Sequence, residues 1–244
     1  MAGMRQVVIT IMEIKVITTD QHMALAEIRL MQLISPSLPV GGFTYSQGLE
    51  RAVDLGWVRD AETLTAWLTE QVVTTLEWLD LPILLRLYHA ASARDLTGVE
   101  YWSDYLIASR ETSELRTEER NRGRALVMLL RSLKLTGLEA WHEVLSRCQL
   151  AGFAYAAQAW GIPVAGMLRG FAWSWIENQA LAGVKIIPLG QTEGQRILHD
   201  LAPLIAQAAE QAQQVKDDEI GASTPALAIA SSQHQFQYTR LFRS

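Results

Sequence analysis

Apolar residues recur at the spacing of an α-helix along most of the chain, and this period limits the possible folds more than any other feature. One example is a row of five apolar side chains that would share one face of a helix. These residues are Leu64, Trp67, Leu68, Val72 and Leu76. Two later segments, 149–160 and 163–186, are apolar almost all round, as expected of helices buried on every side. We therefore predict an all-α, single-domain globular bundle of about nine or ten helices.

The domain organisation follows from where this helical pattern begins and ends. We expect the helical domain to cover residues 24–216, preceded by an N-terminal arm at residues 1–23. After Lys216 the composition shifts towards Ala, Ser, Thr and Gln, and we expect residues 217–244 to form a C-terminal helix and tail. The last ten residues, QFQYTRLFRS at 235–244, are called the tail below. Aromatic and Arg residues are enriched at binding hot spots, so the tail is predicted either to bind a partner or to pack on its own core.

Charge and cysteine content exclude several classes of protein. The formal net charge of -5 argues against a nucleic-acid-binding protein, because such proteins need a basic face. The single cysteine, Cys148, allows neither a disulfide framework nor a Cys-based metal cage, and it suits the reducing cytoplasm. The histidines are scattered without metal-ligand spacing, so we expect no metal ligands and no resident metal. They are His22, His89, His142, His199 and His234.

One uncharged segment is long enough to cross a bilayer. From Cys148 to Leu168 no residue is charged, a run of 21 positions. The run is interrupted by Gly161-Ile162-Pro163, which favours a turn between two buried helices. Two core helices are therefore the prediction, and association with membranes through residues 148–176 is the alternative.

Residues 35–50, SPSLPVGGFTYSQGLE, concentrate prolines and glycines between two smooth helical patterns, and we call them the Pro-Gly segment. Ser46 lies in a sequence that resembles the Gly-x-Ser-x-Gly nucleophile elbow, so a serine hydrolase is an alternative function. That motif requires a preceding strand, which the sequence does not indicate. Gly41-Gly42 before a helix would suit a phosphate, but no lysine lies between residues 16 and 133 to bind it. We therefore expect no catalytic residue in this segment.

A rigid connector explains the Pro-Gly segment more simply. Thr44 and Gln47 have the spacing of a capping box at a helix start. In that arrangement Phe43 and Tyr45 would be exposed for contact with a partner.

A highly charged helix is predicted further along the chain. Five Arg and four Glu interleave between Arg110 and Arg124, and Glu118 and Arg122 have i,i+4 spacing. The pattern is typical of a solvated helix face, with a patch for a charged partner as the alternative.

Four blocks of the sequence resemble, in order, the urease accessory protein F family. They are SPSLPVGGFTYSQGLE at 35–50, RETSELRTEERNRGRAL at 110–126, PLGQTEGQRIL at 188–198 and QYTRLFRS at 237–244. The resemblance covers roughly residues 25–244. It implies an all-α, non-enzymatic, cytoplasmic chaperone of urease nickel-site assembly, without a permanently bound cofactor. Nickel would pass through the complex only transiently, on its way to apo-urease.

The same resemblance implies partners and contact residues. It implies a homodimer that binds the urease accessory D or H protein on one side and the accessory G protein, a GTPase, on the other. On the D/H side the implied contacts are Tyr238, Arg240, Leu241, Phe242 and Arg243. On the GTPase side they are Tyr45, Gln47, Glu50 and Lys185. Gln191 and Gln195 are implied as lining of a nickel tunnel, although Gln195 equally suits a capping box with Thr192.

Overall fold

The computed structural model describes residues 19–244, and within that range every regular element is helical. The α-helices are α1 (Thr19–Leu33), α2 (Leu49–Asp54), α3 (Ala61–Gln71), α4 (Leu81–Ser92), α5 (Leu96–Ser109), α6 (Ser113–Ser132), α7 (His142–Leu145), α8 (Gln149–Ala159), α9 (Val164–Ile186), α10 (Gln191–Gln211) and α11 (Pro225–His234). A π-helical segment, Val72–Asp80, joins α3 to α4 without a break, so these elements form ten separate rods. The predicted all-α, single-domain bundle is confirmed. Residues 1–18, most of the predicted arm, lie outside the described residues.

Helices α4, α8 and α9 form the centre of the bundle. Helix α8 packs between α4 and α6, while α9 packs against α10, α4 and α1. Phe153 of α8 meets Phe171 of α9 edge to face, with 5.3 Å between the ring centroids. Most residues between 148 and 176 thus lie in the core, where burial of each large apolar side chain contributes about 1.5–3 kcal/mol. No helix between residues 19 and 244 is long and apolar enough to span a bilayer.

Local side-chain chemistry sets where α3 begins. The Thr63 main-chain N–H donates to Asp60 Oδ1 over 2.9 Å, and the Asp60 N–H donates to Thr63 Oγ1 over 3.1 Å. This reciprocal pair satisfies two donors that an open helix end would leave unpaired.

The π-helical segment connects the bundle to its C-terminal part. Pro82, the second residue of α4, has no N–H, so the carbonyl of Trp78 lacks the donor that an α-helix would provide four residues later. The Gly221 N–H donates to this carbonyl instead, over 2.9 Å. The segment that leads into α11 is thereby bound to the middle of the continuous rod that α3, the π-helical segment and α4 form.

The charged helix, α6, differs from the prediction of a solvated face. Glu118 and Glu119 are buried, 1% and 7% exposed respectively. Arg122 pairs with Glu118 over 2.8 Å, and Arg110 pairs with Glu119 over 2.6 Å. The prediction of a solvated face is wrong for Glu118 and Glu119, because each of these inward-facing carboxylates pairs with an arginine. The exposed charges of α6 lie on the opposite face of the helix. Buried charges are retained where they are paired and hydrogen-bonded.

Candidate protein-binding site

The tail lies against the Pro-Gly segment and is held there by main-chain hydrogen bonds. The Arg243 N–H donates to the Thr44 carbonyl over 2.8 Å. The Ser46 N–H and the Ser46 hydroxyl each donate to the Ser244 carbonyl over 2.7 Å. Phe242 is buried beneath the tail, 5% exposed. The tail therefore packs on the bundle through Phe242, although this residue was implied as a partner contact.

Glu50 lies underneath the tail rather than on the GTPase-facing surface that the resemblance implied. Its carboxylate accepts the Leu241 N–H over 2.7 Å and the Phe242 N–H over 3.0 Å. The side chain of His234 lies 3.1 Å from the same carboxylate. Glu50 is thus buried and occupied by the chain's own C-terminal residues.

The Pro-Gly segment does not form the predicted capping box. The Thr44 hydroxyl donates to the Gly41 carbonyl over 2.8 Å within a single 3-10 turn, Gly42–Thr44. Helix α2 begins only at Leu49, because Gln47 and Gly48 both have positive φ, 51° and 83°. Left-handed backbone at two successive positions interrupts an α-helix.

Tyr45 and Gln47 of this segment face the bundle. Tyr45, predicted to be exposed, is buried, and Asn121 Nδ2 lies 3.5 Å from its hydroxyl. The Gln47 amide donates to Glu118 over 2.8 Å, and the Ser244 hydroxyl donates to the other oxygen of Glu118 over 2.9 Å. One buried carboxylate therefore joins the Pro-Gly segment, α6 and the tail.

The surroundings of Ser46 are not those of a catalytic nucleophile. It is fully buried, and its hydroxyl is engaged with the Ser244 carbonyl. The helix-only architecture of residues 19–244 also lacks the strand that a nucleophile elbow requires. The alternative of a serine hydrolase is not supported.

The tail leaves three large apolar side chains exposed. Phe236 is 83% exposed, Tyr238 is fully exposed and Leu241 is 65% exposed. Exposed apolar groups that lie together mark binding sites more reliably than scattered ones. Next to them a cleft of about 510 Å³ is lined by Arg51, Asp54, Gln233, Phe236, Gln237, Tyr238 and Thr239. The ion pair between Arg51 and Asp54 makes part of the lining of this cleft polar.

Lys185 at the end of α9 lies between Phe242 of the tail and Phe43 of the Pro-Gly segment. Its Nζ lies 5.9 Å from the ring centroid of Phe43 and 5.9 Å from that of Phe242. A cation over an aromatic face is attracted by the ring quadrupole. Because Phe43 itself is 59% exposed, Phe43 and Lys185 form a second accessible surface beside the tail.

The remaining implied residues are Arg240 in the tail and Gln191 and Gln195 in α10. Arg240 pairs with Glu114 of α6 over 2.8 Å. Gln191 and Gln195 are exposed on the first turns of α10, and their role in a tunnel stays a prediction. The capping box of Gln195 with Thr192 is wrong, because α10 begins at Gln191.

Sequence reasoning missed two residues of this site, Glu114 and His234. His234 is wholly buried and lies between two carboxylates, 2.8 Å from Glu114 and 3.1 Å from Glu50. Its sequence context is rich in Ser and Gln, and no local pattern marks it as buried. Among residues 19–244 no group of three or more His, Cys, Asp or Glu side chains is arranged to hold a metal ion.

Comparison with known proteins finds one family, in the family model and in the individual relatives alike. The UreF family model matches residues 58–202. Urease accessory protein UreF of Pseudomonas putida W619 is 50% identical over 220 residues, which cover 90% of this chain and 98% of that protein. UreF of Alcanivorax borkumensis SK2 is 48% identical over 88% of this chain and 97% of its own length. UreF of Alkalilimnicola ehrlichii MLHE-1 is 44% identical over 93% of this chain and its own full length.

Proposed function

The chain belongs to the UreF family of urease accessory proteins, and on this premise we propose that it is a non-enzymatic scaffold for urease maturation. The scaffold binds a D/H-type accessory protein and a G-type GTPase at the same time, so that nickel reaches apo-urease. Nickel is the cargo of this complex and not a resident cofactor. The protein acts in the cytoplasm as a homodimer, without a nucleic-acid or membrane partner.

The observation that carries this proposal is the exposed aromatic group on the tail. Leu241 projects from a main chain that Glu50 and Ser46 hold in place, and Phe236 and Tyr238 precede it in the tail. A surface that is already ordered loses little conformational entropy on binding, which favours affinity. Aromatic side chains at the centre of an interface also contribute most of the binding free energy. The tail is therefore the D/H side of the scaffold.

The GTPase side follows from the neighbouring surface. Tyr45 and Glu50 are buried, so we assign them a supporting role below the tail. The accessible groups here are Phe43 and Lys185, which offer an apolar ring and a positive charge. A charge at an interface speeds and orients association with a partner of opposite sign.

We assign the homodimer contact to α1. Its exposed side chains include Met23, Leu25, Ile28 and Met31, all at least 45% exposed. Replacing Ile28 and Met31 together by Asp should convert the dimer to a monomer in light scattering after size exclusion. A dimer of unchanged stability would place the contact elsewhere on the chain.

The main test uses side-chain truncations that leave the fixed main chain of the tail intact. Phe236→Ala combined with Tyr238→Ala should abolish co-purification with the D/H-type protein, because both rings are exposed and would lie in the interface. Met128→Ala is the control, since Met128 is 68% exposed on α6, ten positions beyond Glu118, which contacts the tail. Thermal unfolding should be unchanged in both variants. Undiminished capture of the D/H-type protein by the double variant would contradict the proposal.

A further inference from the structure

His234 occupies a position where α2, α6 and the tail meet around a single side chain. It is the last residue of α11 and is wholly buried. Its Nδ1 lies 2.8 Å from Glu114 Oε2 of α6, and its Nε2 lies 3.1 Å from Glu50 Oε2 of α2. Both carboxylates also bind the tail directly: Glu114 accepts from Arg240 over 2.8 Å, and Glu50 accepts from the Leu241 N–H over 2.7 Å.

The two ring nitrogens of His234 lie at different positions of the ring, and each can take part in a hydrogen bond. Nδ1 faces Glu114 and Nε2 faces Glu50, so one ring bridges the two side chains that bind the tail. The bridge gives hydrogen-bond partners to polar groups whose burial would otherwise be costly.

We infer that His234 is the positioning residue of the tail. It holds Glu50 and Glu114 in the orientation that receives the tail main chain and Arg240, and through them it fixes the exposed aromatic group. This inference rests on the proposed function of the tail and adds the residue that controls it. Without His234, Glu50 keeps two main-chain donors but loses its contact with the imidazole ring.

The geometry also explains why another polar side chain cannot take this place. The two carboxylates lie on opposite sides of the ring, and imidazole has two separate nitrogens that can each take part in a hydrogen bond. The amide of Gln has both donor hydrogens on one nitrogen, so it can serve one carboxylate only. His234→Gln therefore preserves polarity and approximate size but breaks the bridge between Glu50 and Glu114.

The experiment compares His234→Gln with His199→Gln, an exposed histidine of α10. If the tail is seated in less than a tenth of the variant molecules, the apparent affinity for the D/H-type protein falls by at least about tenfold. Hydrogen exchange of residues 235–244 should accelerate, while exchange in α8 and α9 stays as in the unsubstituted protein. Affinity within about twofold, or unchanged tail exchange, would overturn the inference.

A double-variant cycle separates positioning from general destabilisation. If His234 acts through the tail, His234→Gln should add little to the affinity loss of Tyr238→Ala, because both remove the same interaction. Additive losses would overturn the inference.

Glu114→Gln provides a second variant should His234→Gln fail to fold, and it should also accelerate hydrogen exchange of the tail. Failure of the unsubstituted protein to bind the D/H-type protein would refute the proposed function alone, because tail exchange tests His234 without any partner.

Discussion

A buried cluster of two carboxylates and one arginine leads to a prediction with a defined sign and magnitude. Arg110 Nη2 lies 2.9 Å from Asp80 Oδ1 and 2.6 Å from Glu119 Oε1. Asp80 is 1% exposed, and the Glu119 Oε2 atom has no hydrogen-bond partner. Burial raises the pKa of Asp80 from 3.8 to about 6, against the opposing attraction of Arg110. Burial also disfavours the charge of Arg110, but its two carboxylate neighbours raise its pKa overall.

The perturbation is Asp80→Asn, which imitates the protonated carboxyl group at every pH. Because the pKa of Asp80 is higher in the folded protein, the folded state retains a proton between about pH 4 and pH 6 that the unfolded chain has lost. The contribution of Asp80 to stability is therefore complete below pH 3.8 and is lost as the pH rises through about 6. The difference in pKa corresponds to about 3 kcal/mol. Asp80→Asn should thus match the unsubstituted protein near pH 4 and exceed its unfolding free energy by about 3 kcal/mol at pH 7.5.

Removal of the arginine should have the opposite effect. Arg110→Met leaves Asp80 and Glu119 buried without a positive partner, which costs about 3–5 kcal/mol at pH 7.5. The matched control is Arg131→Met, because the Arg131–Glu139 pair is exposed and should contribute little.

Urea unfolding at intervals between pH 4 and pH 7.5 measures these differences. The quantity to plot is the unfolding free energy of each variant minus that of the unsubstituted protein, which cancels the titration of all other groups. For Asp80→Asn this difference should rise with pH and level off above about pH 6.5. A difference that does not change with pH, or a loss of stability at pH 7.5, would refute the reasoning.

Three further predictions concern the packing of single residues. Tyr45→Ala should lower the unfolding free energy in urea by about 3–5 kcal/mol because the ring is buried, whereas Phe43→Ala should change it by less than about 0.5 kcal/mol. Gly123→Ala should cost about 1–3 kcal/mol in the same assay, since its Cβ would lie 2.7 Å from the main-chain carbonyl carbon of Cys148. The Cys148 thiol should gain no mass with iodoacetamide until the protein unfolds, because burial raises its pKa to about 12. Intact stability of the first or third variant, or rapid native alkylation, would contradict the corresponding packing.

The helices were predictable because burial of one face imposes the 3.6-residue period on the sequence. The segments 149–160 and 163–186 correspond to Gln149–Ala159 and Val164–Ile186 within three residues at each end. Asp60 as a cap was also predictable, since its partner Thr63 is three residues away. These features depend on local contacts, which sequence patterns record.

The contacts that hold the tail could not be predicted from local sequence patterns. Glu50 and Leu241 are 191 positions apart, and Glu118 and Ser244 are 126 positions apart. A charged residue near a helix start suggests a role with the helix dipole, and nothing in its neighbourhood reveals that a distant main chain will cover it. The left-handed backbone of Gln47 is equally invisible, because glutamine rarely adopts it.

The way in which the tail is held predicts coupling between the two proposed partner sites. The end of the tail is held by hydrogen bonds to the Pro-Gly segment and to Glu118, and by burial of Phe242. A D/H-type protein that binds the seated tail also fixes the Pro-Gly segment, since Gln47 shares Glu118 with Ser244. We expect each partner to strengthen binding of the other by the same factor, about 5–150-fold, measured by titrating each partner in the presence and absence of the other. Independent affinities would show that the tail does not connect the two sites.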